Sequence, residues 1–179
     1  MSKNHEEENK SNWTVQQWTV YAKEGNKDLE CAELFRVDFE GANLKGANLY
    51  GADLRWSYLK DANLEGANLE GANLEGANLE GADLEGADID YANLENANLE
   101  GANLRCADLK GANLKGAHLW RADLEGANLW VTTLRGAYLV GANLEGAELF
   151  RVDFEGANLR GANLKGHDID DLRKRVAGF

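Results

Sequence analysis

The stretch ANLEGANLEGANLEGANLEGADLEG, residues 62–86, states one five-residue unit five times in succession. The same period continues through residues 27–171 as twenty-nine consecutive blocks without an insertion or deletion. The third residue of every block is Leu, Phe or Ile, and the first is Ala in twenty-three blocks. The second residue is usually Asn or Asp, the fourth is usually charged and the fifth is usually Gly. This period identifies a repeat protein and dictates how its core is built.

A period of five fits neither an α-helix nor a flat β-strand. A helix turns by about 100° per residue, so every fifth residue moves around the axis and never forms one face. A strand has a period of two and fails as well. A four-sided coil fits the pattern when each block forms one side and points its first and third residues inward. Ala and Leu then fill a narrow core, and Gly at the fifth position suits a corner with unusual dihedral angles.

These blocks resemble the pentapeptide-repeat family, whose consensus is A-(D/N)-L-X-X, and residues 62–86 are close to a pure statement of it. The resemblance covers about four fifths of the chain. It implies an all-β fold, the right-handed quadrilateral β-helix of that family, with four blocks in each coil. The 145 residues of the array then give about seven coils. At ~4.8 Å per coil, the rod is roughly 35 Å long.

Short helical caps are expected at both ends, because a solenoid end otherwise exposes apolar side chains and unpaired strand groups. Before the array, Val15, Trp18 and Ala22 follow helical spacing. Gly25 then provides a signal that ends the helix. Because Trp18 lies on the apolar side of this predicted capping helix, it is interpreted as a structural cap residue. The predicted organisation is a disordered polar tail, an N-terminal capping helix, the β-helix and a C-terminal cap, at residues 1–10, 11–26, 27–171 and 172–179.

The composition predicts a soluble, cytoplasmic protein that binds neither nucleic acid nor membrane directly. The formal net charge is −12, which disfavours contact with phosphate groups and favours a cationic partner. No stretch approaches the ~18 consecutive apolar residues of a membrane span. Residues 1–10 lack the apolar core of a signal peptide.

No catalytic residue, metal ligand or cofactor site is predicted. His5, His118 and His167 are scattered, and no nucleophile with a partnering base can be assembled from the outward positions. Cys31 and Cys106 are separated by 75 residues, which corresponds to roughly 18 Å along the rod axis. A disulfide needs Cα atoms within about 7 Å, so these two do not pair within one chain. We therefore expect a protein that is not an enzyme.

An acidic belt surrounds the middle of the array. It consists of eight carboxylates at consecutive fourth positions: Glu65, Glu70, Glu75, Glu80, Glu85, Asp90, Glu95 and Glu100. One interpretation is a solvated surface that discourages edge-to-edge aggregation. The other is mimicry of a polyanion, because the resemblance includes quinolone-resistance proteins that are like duplex DNA in width and charge and bind type II topoisomerases. An anionic rod would be steered into the basic groove of such an enzyme.

Large aromatic side chains at outward positions are the candidate partner-binding residues. They occupy second, fourth or fifth positions and comprise Trp56, Tyr58, Trp120, Trp130, Tyr138 and Phe150. Trp130 and Phe150 are twenty residues apart, so they should stack on one face with Val131 alongside. Trp120 is expected on the opposite face, next to Tyr138. Exposed aromatics are typical of protein interfaces, although stacked rings also stabilise sheets by themselves.

The leading hypothesis is a non-catalytic scaffold, a monomer or homodimer, that binds an unidentified protein partner through its outer faces. The alternative is a polyanionic rod that mimics DNA and binds a DNA-processing enzyme such as a type II topoisomerase. A third option is a nearly inert product of repeat expansion. The first is favoured because the outward aromatics cluster towards the C-terminal coils, whereas the acidic belt encircles the rod without preferring a face.

Overall fold

A computed structural model describes residues 14–168, which form one α-helix followed by a stack of four-sided coils. The helix α1 comprises Val15–Lys23. A capping box starts it: Thr14 Oγ1 accepts a hydrogen bond from the backbone N–H of Gln17 at 3.3 Å, and Gln17 Oε1 accepts one from the backbone N–H of Thr14 at 2.9 Å. Gly25 follows with a φ of +91°, a left-handed conformation that ends helices.

Helix α1 covers the N-terminal end of the coils. Trp18 and Ala22, one turn apart, are each 5% exposed and belong to the same core as the coils. The ring of Tyr21 lies edge-on to that of Trp18, with 6.0 Å between the ring centres. The helix lies inside the range 11–26 expected for a cap. The predicted tail at 1–10 and the predicted cap at 172–179 lie outside the described residues.

The coils pair in parallel at a spacing of twenty residues. Bridges join the second residue of each block to the second residue of the block one coil later, from Asp28–Asn48 to Asn143–Asn163. Each bridge involves a single residue on either side, and no longer strand forms within residues 14–168. Backbone N–H groups of the third and fifth residues donate to carbonyl groups of the next coil. Four blocks therefore make one coil.

Each block ends in a β-turn of four residues. The fifth residue of the block is residue i+2 of that turn. In the turn at Gly66, the N–H of Ala67 donates to the carbonyl of Leu64 at 2.9 Å. Gly66 has a φ of +61°, a left-handed value that glycine adopts at little cost. Among the described residues, ten further fifth positions adopt positive φ although they carry side chains. The corner geometry therefore holds whichever residue occupies it.

Asn and Asp recur at the second position because their side chains complete the following turn. Asn63 Oδ1 accepts a hydrogen bond from the backbone N–H of Glu65 at 3.0 Å, and the same contact recurs along the array. The amides also bond from coil to coil, as Asn113 Nδ2 donates to Asn93 Oδ1 at 2.9 Å. Such amide ladders reinforce stacked strands. The second position thus serves the backbone and leaves the fourth free for surface chemistry.

The first and third residues of the blocks fill the interior. Leu99 is fully buried, as are Leu79 and Leu119 one coil to either side. Thr132 replaces Ala at a first position, and its hydroxyl donates to the Leu109 carbonyl at 2.7 Å. A buried polar group that is hydrogen-bonded in this way carries no desolvation penalty from an unmade bond. Ser57 is the second buried polar residue at a first position, and its hydroxyl oxygen has no hydrogen-bond partner among the described residues. The core is therefore a continuous apolar column with two polar residues, of which Thr132 is hydrogen-bonded.

Some corner side chains lie over the glycine one coil later. A Cβ at Gly76 would approach the Trp56 ring to 2.6 Å, and a Cβ at Gly111 would approach the Tyr91 ring equally closely. A Cβ at Gly66, by contrast, would meet nothing within 4 Å. Glycine at positions 76 and 111 therefore serves two needs, a left-handed φ and space for a neighbouring ring.

Replacing Gly76 by Ala should destabilise the protein more than replacing Gly66 by Ala. Both substitutions place a Cβ in a left-handed conformation, which costs about 1 kcal/mol or more. Only the first also forces the Trp56 ring to move. The free energy of unfolding from urea titration measures both losses. In a Trp56→Ala background the two alanine variants should lose equal stability; equal losses in the wild-type background would contradict the proposed packing.

Candidate functional site

The coils present four outer faces, named here A, B, C and D. Glu65 lies on face A, Glu70 on face B, Glu75 on face C and Glu80 on face D, and residues separated by multiples of twenty share a face. The second and fourth residues of a block point outward, and the fifth lies at the corner towards the next face. Adjacent coils are ~4.8 Å apart, so side chains twenty residues apart are neighbours.

All six aromatic residues predicted to bind a partner lie at the surface, but the structure does not bring them together. Trp130 and Phe150 share face B, with their ring centres 5.4 Å apart. The other four lie on face D or at the corner between faces C and D: Tyr58, Trp120, Tyr138 and Trp56. The structure thus divides the predicted set between opposite faces of the rod.

The aromatic patch is defined here as Trp130, Val131 and Phe150 on face B. The two rings are inclined by 52° and are 43% and 55% exposed, so they hold each other in place without leaving solvent. The guanidinium of Arg151 lies 5.2 Å from the centre of the Phe150 ring and bounds the patch on one side. Exposed aromatics beside an arginine are typical of the energetic centre of a protein interface.

Val131 is the β-branched residue among the ten corner residues with positive φ and a side chain, and its φ is +56°. A branched Cβ makes this conformation a genuine outlier. The Val131 side chain is 49% exposed, so burial in the core does not compensate for the strain. Strained backbone of this kind clusters at functional sites. The strain therefore points to a surface role for the apolar side chain.

Face D carries a second aromatic group, which is engaged with polar neighbours. The Arg121 guanidinium lies 4.5 Å from the centre of the Trp120 ring. The His118 ring lies edge-on to the Tyr138 ring at 5.1 Å. The contact between the His118 and Tyr138 rings, one coil apart, fits the alternative in which stacked rings stabilise the coils themselves, whereas an arginine beside an aromatic ring occurs on both faces. Face D lacks the strained apolar corner found beside Trp130.

Three further outward aromatic residues are missing from the predicted set. They are Phe35, Tyr50 and Tyr91, which are 39%, 43% and 60% exposed. Their signal is present in the sequence, because each occupies a fourth or fifth position. Tyr91 lies at a corner of face B with its ring over Gly111, and Gly111 lies one coil before Val131. Tyr91 therefore extends the aromatic patch towards the acidic belt.

Cations from the adjoining coils neutralise part of the acidic belt. Three belt members form ion pairs at 2.5–2.9 Å: Glu65 with Lys45, Glu80 with Lys60 and Glu95 with Lys115. The hydrogen bond and charge of Lys115 lower the pKa of Glu95. Each pair joins residues twenty apart in sequence. Exposed pairs of this kind contribute about 0–1 kcal/mol each, so they interrupt the negative surface more than they stabilise it.

Face B differs from the other faces because its charged residues between positions 28 and 151 form no ion pair among the described residues. Every ion pair within the described residues lies on face A, C or D. Between residues 28 and 151, the outward positions of face B hold a larger excess of acids than any other face. They carry seven acids and two bases: Asp28, Glu30, Glu70, Asp88, Asp90, Asp108 and Glu148, against Lys110 and Arg151. The protein itself leaves this charge largely uncompensated.

The most crowded acids of face B are Asp88, Asp90 and Asp108. Burial of the Asp90 carboxyl, followed by its hydrogen bond to Asp108 and the charges of Asp108 and Asp88, raises the pKa of Asp90 to about 6. Asp90 Oδ1 is buried without a hydrogen-bond partner among the described residues. Lys110 opposes the shift only through its charge. The charge of Lys110 therefore relieves only part of the repulsion among these acids.

The histidines and cysteines of the described chain lie far from one another. His118 is on face D, whereas His167 is near the C-terminal end, with Nε2 2.8 Å from the Leu144 carbonyl oxygen. Cys31 and Cys106 are exposed, free thiols at corners of faces B and A. Within residues 14–168, no group of three or more His, Cys, Asp and Glu side chains is arranged to hold a metal ion. A helix long and apolar enough to cross a membrane is likewise absent from these residues.

The family model of the pentapeptide repeats matches the chain in eight copies, over residues 32–70, 57–90, 92–130 and 132–166. The chain is 38% identical to HetL, a pentapeptide repeat protein involved in heterocyst differentiation regulation from the cyanobacterium Nostoc sp. strain PCC 7120. That alignment covers 78% of this chain and 70% of HetL, with a TM-score of 0.25.

The pentapeptide repeat protein Rfr23 from the cyanobacterium Cyanothece 51142 is 31% identical over 83% of this chain and 98% of its own, with a TM-score of 0.42. QnrB1, a plasmid-mediated fluoroquinolone resistance protein, is 22% identical over 84% of this chain and 86% of its own, with a TM-score of 0.44. A search of the curated proteins gives no match.

Replacing Asp90 by Asn should raise the melting temperature at neutral pH and have little effect in acid. The pKa of Asp90 rises from 3.8 to about 6 on folding, so the folded state holds the proton more tightly than the unfolded state. The stability that this proton provides is present below the unfolded pKa and is lost as the pH rises through about 6. An Asn side chain cannot ionise and avoids that loss.

Thermal unfolding followed by circular dichroism over a pH series measures this effect. Asp108→Asn should reproduce part of the gain, because it removes the charge of Asp108 but leaves the Asp90 carboxyl buried. Glu85→Gln on face A removes the same charge without touching the pair and serves as the control. A gain from Asp90→Asn that stays constant between about pH 4 and about pH 7 would contradict the assignment.

Proposed function

The chain belongs to the pentapeptide-repeat family, and on that premise we propose that it is a non-catalytic scaffold that binds another protein through face B. Its fold is the right-handed quadrilateral β-helix of the family, which confirms the fold class predicted from the resemblance. The observation that carries the proposal is the exposed Trp130–Phe150 pair, flanked by the strained corner at Val131.

The rings of the aromatic patch are held in position before a partner binds. The backbone N–H of Trp130 donates to Asn128 Oδ1 at 3.0 Å, and that of Val131 donates to the Phe150 carbonyl in the next coil at 2.9 Å. Each ring is thus fixed to a hydrogen-bonded backbone, and each restricts the movement of the other. Aromatic side chains bury roughly 150–250 Å² each in interfaces. Binding would therefore remove a large apolar area from water at a small cost in conformational entropy.

The alternative function, a polyanionic rod that mimics DNA, draws its support from the net charge of −12. Its weakness is the distribution of charge on the rod. Lysines pair with Glu65, Glu80 and Glu95 on three faces, whereas Glu70, Asp88, Asp90 and Asp108 of face B form no ion pair among the described residues. A duplex presents uninterrupted phosphate charge along its whole length. The uneven charge favours one binding face over recognition of the whole rod.

Replacing Trp130 by Ala should weaken binding of a protein partner at least about thirtyfold, because truncation of a buried aromatic anchor typically costs ~2 kcal/mol or more. The partner is captured by crosslinking in the native cell, and the dissociation constant is measured by isothermal titration calorimetry. Trp120→Ala, which removes the same side chain from the opposite face, is the matched control and should leave affinity within a few-fold.

The same titration across a salt series separates the two functions. A polyanion mimic binds through summed charge, so Glu75→Gln/Glu85→Gln, which removes one charge each from faces C and A, should weaken its binding, and added salt should abolish it. The scaffold should tolerate these charge changes away from face B and lose affinity with Trp130→Ala. If Trp130→Ala leaves affinity within a few-fold while the charge changes weaken it and salt abolishes it, the scaffold proposal fails and the polyanion becomes the better account.

Replacing Val131 by Gly should stabilise the protein by up to about 1 kcal/mol and at the same time weaken binding. Glycine relieves the left-handed strain of the folded state, and this stabilisation is larger than the entropy that glycine adds to the unfolded chain. The loss comes from removal of an apolar side chain that is 49% exposed in the free protein. Urea titration and calorimetry measure the two effects. Cys106→Gly at a corner of face A is the control, and unchanged partner affinity in Val131→Gly would remove Val131 from the interface.

A further inference from the structure

Face B divides along the rod axis into an acidic half and an apolar half. The acidic half contains Glu70, Asp88, Asp90 and Asp108, together with the cation Lys110, and the apolar half is the aromatic patch, with Glu148 and Arg151 beside Phe150. From position 70 to position 150 is four coils, which corresponds to about 19 Å. Tyr91, which is 60% exposed, lies at the corner next to Asp90, and its ring covers position 111, one coil before Val131. The two halves are therefore continuous and close enough to contact one short segment.

The belt members of the acidic half, Glu70 and Asp90, form no ion pair among the described residues. One belt member on each of the other faces has a lysine within 2.9 Å, namely Glu65, Glu80 and Glu95, whereas the second belt member on each of those faces has no such partner. The Asp90 carboxyl has a buried oxygen without a hydrogen-bond partner within these residues. A cation from another molecule would relieve the repulsion among Asp88, Asp90 and Asp108 and also attract that molecule from a distance.

Resting on the proposed function, we infer that face B binds a protein segment that carries Lys or Arg side chains at one end and an apolar side chain at the other. The cationic end lies over Glu70, Asp88 and Asp108, and the apolar side chain lies against Trp130 and Phe150. A span of ~19 Å corresponds to about six residues of extended chain or about thirteen residues of helix. The charge on face B thus fixes the orientation of the partner as well as its composition.

Other occupants fit this surface less well. If a second copy of the chain bound through its own face B, seven acids and two bases would face the same seven acids and two bases, so the second copy could not neutralise the acids. Phosphate groups of a nucleic acid or a membrane would be repelled by the acidic half. An uncharged apolar segment would pack against the aromatic patch but would not neutralise the acids. A basic and apolar protein segment is the occupant that complements both halves.

The test uses the full chain and synthetic, fluorescein-labelled peptides. The first peptide has arginines at one end and a leucine–phenylalanine pair at the other, and the second replaces its arginines with glutamates. Fluorescence anisotropy measures binding of each peptide to the wild type and three variants. Asp88→Asn/Asp108→Asn removes two charges from face B, and Asp83→Asn/Glu85→Gln removes two charges from face A at a similar height. Trp130→Ala removes the apolar anchor.

We expect the arginine peptide to bind and the glutamate peptide to fail. The face B charge variant should weaken binding roughly tenfold, and the face A variant should change it less than about twofold. Equal weakening by both charge variants would show that total charge decides, and it would overturn the inference. Failure of the arginine peptide to bind, or self-association of the chain that Trp130→Ala abolishes, would overturn it as well.

The variants also separate this inference from the proposed function. If Trp130→Ala weakens binding but neither charge variant does, the anchor stands and the cationic partner is wrong. If Trp130→Ala has no effect on the peptide or on the captured partner, the scaffold proposal itself fails. Circular dichroism spectra and urea midpoints close to those of the wild type show that each variant is folded, because all the substituted side chains lie outside the core.

Discussion

Backbone hydrogen bonds between coils are the interaction on which the rest of this protein depends, and they form only when each coil contains twenty residues. An added residue within a block would turn inward side chains outward and remove the facing carbonyl groups, as a register slip does in any sheet. The left-handed fifth residue maintains the register because it closes each turn at the same place. Its importance is visible at Val131, which adopts a φ of +56° despite its branched side chain.

Because the register is fixed, side chains twenty residues apart form columns along the rod surface, and the columns differ in the interactions that their side chains make. Residues twenty apart meet as ion pairs at Lys60 and Glu80, as an amide ladder at Asn93 and Asn113, and as an aromatic pair at Trp130 and Phe150. The second position is largely committed to the turns, so charge and aromatic character vary mainly at the fourth and fifth positions. Cations interrupt the acidic belt on three faces but leave face B without an ion pair among the described residues.

A rod of this kind suits recognition by a surface that does not change shape. Backbone hydrogen bonds join Trp130 to Gly111 in the preceding coil and Val131 to Phe150 in the next, so binding need not order a loop. In the proposed binding mode, the acids beside the patch set the orientation of the partner, because its cations and its apolar residue must be in the matching order. The aromatic rings would then provide most of the affinity, and the charges next to them the orientation. The proposal thus gives a highly repetitive sequence one distinct binding face.

The sequence by itself indicated which positions are buried and which point outward, because a strict period of five fits neither an α-helix nor a flat strand and suits a four-sided coil. The right hand of the helix and the four blocks in each coil came from the family resemblance and not from the spacing. Given coils of twenty residues, the sequence also placed Trp130 beside Phe150. Only the tertiary structure decided that Lys60 reaches Glu80, that the Trp56 ring covers Gly76, and that Glu70 and Asp90 form no ion pair among the described residues. The physical reason is that backbone register fixes where a side chain starts, whereas a long side chain can turn towards either adjoining coil, and the choice depends on all its neighbours in three dimensions.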